Sequence, residues 1–138
     1  MPARVVLADV GPLYAAVDPD DQYHERARRE MQWLNDGGVA VAVAYSTFAE
    51  AYTLVLHRLG PRRAVRFGEE LRAGTALLNP SPDDYGQALT RLAAHRDLPV
   101  SLFDSVAAIL SERLGLELWT YDEHFHALGT RVWHADAA

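Results

Sequence analysis

The chain has 138 residues, enough for one compact domain spanning residues 1–138 and too few for a second. With 49% apolar residues it can bury a sizeable core, and with no cysteine it excludes a disulfide framework, a zinc–thiolate centre and a cysteine nucleophile. The net charge is −6, from 19 acids against 13 bases, and every base is arginine; a simple nucleic-acid-binding module carries a basic excess, whereas acids that hold divalent cations reverse the local field.

The opening apolar run is too short for a secretory signal and no span reaches membrane length, so the expectation is a soluble cytoplasmic protein. Residues 5–8 read as a buried strand punctuated by Gly11-Pro12. Asp18-Pro19-Asp20-Asp21 reads as a turn without the spacing of a calcium loop. Asp21 then caps a helix to about Asn35, with Ala27, Met31 and Leu34 on one face. Residues 39–44 read as a second strand. A long helix from Thr47 places Phe48, Tyr52, Val55 and Leu59 on one side, and Gly60-Pro61 separates it from a further helix to about Ala73.

Residues 75–78 suggest a short strand. Ser81-Pro82-Asp83-Asp84 has the order of a helix start, cap first and proline in the first turn. Residues 98–114 read as an apolar helix closed by Gly115, and residues 116–121 and 130–134 as two late strands. Short apolar strands alternating with helices predict a three-layer α/β/α sandwich with a mostly parallel central sheet.

Single acids stand out inside the apolar segments. Asp9 is the only charge between Val5 and Val17, Glu50 the only one between Val39 and Leu56, and Asp104 the only one between Leu98 and Ser111. A carboxylate is seldom buried without a partner, and no arginine in these segments offers one. Asp9 and Asp122 follow predicted strands, while Glu50 and Asp104 lie near helix starts. In parallel α/β sheets ligands gather beyond the carboxyl ends of strands, so the four can converge there. An all-oxygen set favours magnesium or manganese over zinc or copper. The competing reading is capping: Thr47 to Glu50, Ser101 to Asp104 and Thr120 to Glu123 match or nearly match a capping box. Either role accounts for each acid singly; the coincidence of all four favours a site.

Several segments also resemble the PIN-domain family, and within it the VapC-like toxins of bacterial toxin–antitoxin pairs. They are Val6-Leu7-Ala8-Asp9, Tyr23-His24 with Ala27, Phe48-Ala49-Glu50, Leu102-Phe103-Asp104-Ser105-Val106-Ala107-Ala108, and Trp119-Thr120-Tyr121-Asp122-Glu123-His124-Phe125 with Leu128-Gly129. Three positions depart from the pattern: Val10 and Gly11 stand where serine or threonine and then serine or asparagine are usual, and Phe103 where threonine is. The resemblance implies metal-dependent hydrolysis of RNA by a toxin endoribonuclease using Mg2+ or Mn2+. It implies Asp9, Asp104 and Asp122 as ligands, direct or through water, and Glu50 as a ligand or water-orienting base. It also implies a cognate antitoxin, a homodimer and no membrane partner.

Thr120 could support a ligand or simply pack in the core. The Arg58, Arg62, Arg63 and Arg66 group could hold phosphates, as could Arg26, Arg28 and Arg29, although a solvated helix face explains both groups more simply. His124 and His126 read as a packing or surface pair. A phospho-receiver domain shares this size and clustered acids, but that family needs a lysine and this chain has none. A catalytically silent protein-binding module is the other alternative.

Overall fold

A computed structural model describes residues 4–135. Residues 1–3, part of the segment read above as too short for a secretory signal, lie outside the described residues. The elements run β1 (Val5–Ala8), α1 (Val10–Ala15), α2 (His24–Asp36), β2 (Ala40–Ala44), α3 (Tyr45–Leu59), α4 (Pro61–Gly74), β3 (Ala76–Leu78), α5 (Pro82–Ala94), α6 (Leu102–Leu114), β4 (Glu117–Trp119) and α7 (His124–Ala127). The strands form one sheet in the order β3-β2-β1-β4, and every pairing is parallel.

The two-residue period of the strands divides the core. Val6 and Ala8 of β1, Val43 of β2 and Trp119 of β4 pack on one face, beneath Leu13, Leu34, Val55 and Phe67 from the first four helices. Leu7, Ala42, Ala44 and Leu118 point the other way, against Val106, Leu110 and Phe125. Strands buried on both faces read as continuous apolar runs, as the sequence does here. The result is the expected α/β/α sandwich.

The chain moves outward from β1 through β2 to β3, then returns to place β4 on the free side of β1. The topological switch therefore lies between β1 and β4, and the backbone N–H of Asp9 donates to Trp119 O at 2.9 Å at their carboxyl ends. A switch of this kind opens a crevice at the strand ends.

Several boundaries differ from expectation for local reasons. Gly11-Pro12 does not end structure; it lies in the first turn of α1, where a missing proline N–H costs nothing. Asp21 accepts from Tyr23 N in its turn, and α2 starts only at His24. Met31 is 46% exposed, and the inward position falls to Glu30. The helix expected over 98–114 begins at Leu102, because Ser101 and Asp104 form a reciprocal capping box. The late segment 130–134 contributes one bridge, Leu118 to Val132, in place of a strand. Among the described residues, no helix is long and apolar enough to cross a membrane.

Candidate active site

Asp9 leaves β1 at the switch point and is 4% exposed. Its Oδ2 accepts from Thr120 Oγ1 at 2.8 Å, across the β1–β4 crevice. Burial pushes its carboxyl up to about 6; the Thr120 bond opposes this, and repulsion from Asp104 and Asp122 adds to it. Thr120 thus holds an acid as well as packing. Its hydroxyl also accepts from Asp122 N at 3.1 Å, which ties the loop after β4 to the end of β1.

Glu50 does not cap a helix. The helix begins earlier than expected, at Tyr45, with Ala44 at its cap position and no side-chain cap bond. That puts Glu50 in the second turn, where its Oε1 is buried without a hydrogen-bond partner. Burial, then the charges of Asp9 and Asp104, raise its carboxyl to about 7. An ionised oxygen in such a place is costly unless a cation or a proton balances it.

Asp104 caps α6 and borders the crevice at once. Its Oδ2 accepts from Ser101 N at 2.9 Å, and its N–H donates to Ser101 Oγ at 3.1 Å. Desolvation raises its carboxyl; the cap and His124 oppose this, and Asp122 reinforces it. Asp122 accepts at Oδ1 from His124 N at 2.9 Å and from His124 Nδ1 at 2.6 Å.

Asp9, Asp104 and Asp122 line one cavity of about 290 Å³, together with Tyr14, Tyr121 and Arg58. Glu50 is not among its lining residues, although it lies close enough for its charge to couple to Asp9 and Asp104. Among the described residues, no three His, Asp or Glu side chains converge tightly enough to enclose an ion in their present rotamers. The donor set nonetheless suits a hard cation, because it is all carboxylate and includes an unpartnered buried oxygen.

One neighbour, Glu30, escaped the sequence reading, and two others, His124 and Arg58, take places there that it did not give them. Glu30 is 7% exposed and accepts from Trp119 Nε1 at 3.0 Å and Tyr121 OH at 2.6 Å. Its spacing of three from Ala27 and four from Leu34 was the available signal. His124, two residues after Asp122, is a partner of that acid; only His126 pairs elsewhere, stacking on His134 with centroids 6.4 Å apart. Arg58, exposed as a solvated helix face predicts, also borders the acidic cavity, its guanidinium 5.1 Å from the centre of the Tyr14 ring.

Among solved structures, the fold is similar to the sarcin–ricin-loop-cleaving toxin VapC20 of Mycobacterium tuberculosis. The TM-score is 0.80 at 22% identity, over 91% of this chain and 95% of that one. It is also similar to VapBC2 of Rickettsia felis bound to a promoter DNA fragment, with TM-score 0.73 and 13% identity over 94% and 97% of the two chains. VapBC-1 of nontypeable Haemophilus influenzae gives 0.68 at 17% identity over 97% and 99%. No curated protein matches by sequence. The sequence profile of the PIN domain matches residues 7–130, a span that contains all four acids, and the chain belongs to the PIN domain family.

Proposed function

We propose that the protein is a divalent-metal-dependent endoribonuclease, the toxin of a toxin–antitoxin pair, with Asp9, Glu50, Asp104 and Asp122 as its working acids. The observation that carries this reading is the buried, unpartnered Oε1 of Glu50 beside Asp9 and Asp104 at the sheet's switch point. Membership of the PIN family and the toxin folds it resembles support the substrate and the biological setting. A resident Mg2+ or Mn2+ would neutralise phosphate charge and make a bound water a stronger nucleophile.

The chain's own residues do the positioning. Thr120 fixes Asp9, Ser101 fixes Asp104 and His124 fixes Asp122, so three carboxylates keep set orientations around the cavity. Glu50 Oε1 has no competing donor and is the atom suited to accept a proton from the attacking water. Tyr14 and Tyr121 wall the cavity, and Arg58 offers a cation to the phosphate. The neighbours whose structures are VapBC pairs motivate an antitoxin as partner, and this reading includes a homodimer acting on cytoplasmic RNA.

Purified protein should cut RNA in Mn2+ or Mg2+ and stop in excess chelator, with Asp9→Asn inactive. In cells, expression without the antitoxin should arrest growth, and co-expression should relieve it. Cleavage that persists in chelator, or arrest by Asp9→Asn at equal protein level, overturns the reading.

A further inference from the structure

A second cleft adjoins the acidic cavity and serves none of the four acids. Its volume is about 370 Å³, its floor includes Val55, Leu59 and Phe67, and Arg28, Arg63 and Arg66 stand around it. No residue lines both hollows, but the two lie on adjacent positions of the same segments. Tyr14, Leu54 and Arg58 face the acidic cavity, while Ala16, Val55 and Leu59, neighbours on the same segments, face the cleft.

The charges of the cleft are largely uncommitted. Arg28, Arg58 and Arg63 are exposed, and none forms an ion pair among the described residues. Arg66 meets Glu70 at 3.1 Å. Asp18, the other nearby acid, is held by the Tyr14 hydroxyl at 2.5 Å. The arginines therefore outnumber the acids here, on a chain whose net charge is −6. A polyanion is repelled by most of such a surface and drawn to the exception. His24 also lines the cleft; its Nδ1 donates to Ala15 O at 2.7 Å, which leaves Nε2 as an acceptor suited to a ribose hydroxyl.

We propose that this arginine cleft binds the phosphate backbone of an RNA strand, on one side of the bond presented to the carboxylates, with Arg58 at the junction. The forked donors of arginine match phosphate oxygens, and Arg28 and Arg63 form no ion pair that would compete. The assignment deepens the ribonuclease reading and rests on it for the strand's direction toward the acids.

The test is binding of a fluorescein-labelled single-stranded RNA of about a dozen nucleotides, followed by anisotropy in EDTA across a salt series. Each single-strand phosphate contact contributes about 0.7 to the slope of log affinity against log salt. Arg28→Gln with Arg63→Gln should weaken binding about tenfold at low salt and flatten that slope by about 1.4. The same pair changed to lysine should keep most of the slope. Arg29→Gln with Arg62→Gln, which removes equal charge outside the cleft, should change it little. Thermal melts confirm folding, and Arg63→Gln alone, with a slope change of about 0.7, serves if the double variant fails to fold.

Parental affinity and slope in the Arg28/Arg63 glutamine variant, or an equal loss in the Arg29/Arg62 control, overturn the cleft. Cleavage assays in Mn2+ keep the two readings apart. A raised KM with kcat retained supports both. Arginine-dependent binding without any cleavage keeps the cleft and removes the nuclease. Cleavage with an unchanged KM in the variant removes the cleft and keeps the nuclease.

Discussion

At Asp104 a helix cap and a place at the cavity are compatible, because a carboxylate has two oxygens. Oδ2 serves Ser101 N, and the side chain still borders the cavity with Asp9 and Asp122. Asparagine caps as well as aspartate does, so Asp104→Asn should leave the metal-free melting temperature equal or slightly higher, since one repelling charge is gone. A manganese series should then raise the parent's melting temperature more than the variant's, because a ligand stabilises only the state it binds. Identical metal-induced shifts count against Asp104 as a ligand. Thr120→Val tests the neighbouring bond: it removes the donor that opposes burial at Asp9 and should lower affinity for Mn2+ by about tenfold, within the range for residues that orient a ligand.

Among the elements, the α5–α6 pair holds a buried acid of a different kind. Asp84 is 0% exposed, caps α5 through Ser81, and accepts from Arg113 Nε at 2.8 Å and Nη2 at 2.9 Å. The Arg113 bonds hold its carboxyl below the usual carboxylate range despite burial. All its oxygens are satisfied, which distinguishes it from Glu50. Losing a buried pair costs about 3–5 kcal/mol, and the half-exposed Arg113 reduces that, so Asp84→Ala should cost about 2–3 kcal/mol. Urea denaturation measures the loss. The gain in stability on adding manganese should match the parent's; a lost gain would place Asp84 in the metal's service.

Across the whole molecule, two sets of acids act in opposite pH windows. Asp9, Glu50 and Asp104 have folded-state values raised above their unfolded ones. The native state therefore holds more protons, and their unfavourable contribution grows as pH rises from about 4 to about 7. Asp18, Asp84 and Glu112 are lowered, and contribute stability that is lost as pH falls below about 4. Without metal, the melting temperature should decline from weakly acidic pH toward neutrality. Asp9→Asn should flatten that decline, because the carboxyl that burial raises to about 6 is then absent. Manganese should flatten it in the parent. A metal-free melting temperature that climbs steadily from pH 5 to 8 would contradict the repulsion among these acids.

The layered α/β fold was legible in the chain alone, because short apolar runs separated by helices, and caps such as Ser81, are local properties. The sequence also isolated Asp9, Glu50 and Asp104, since a lone charge in an apolar run is visible without coordinates. Which acids are satisfied depends on contacts between distant segments. Glu30 and Asp84 find donors 89 and 29 residues away, at Trp119 and Arg113, while Glu50 Oε1 finds none. The tertiary structure also set Arg58 at the border of the acidic cavity and gathered Arg28 with Arg63 across two helices. Hydrogen-bond satisfaction and charge proximity depend on which distant segments the fold brings within a few ångströms, and no local pattern carries that information.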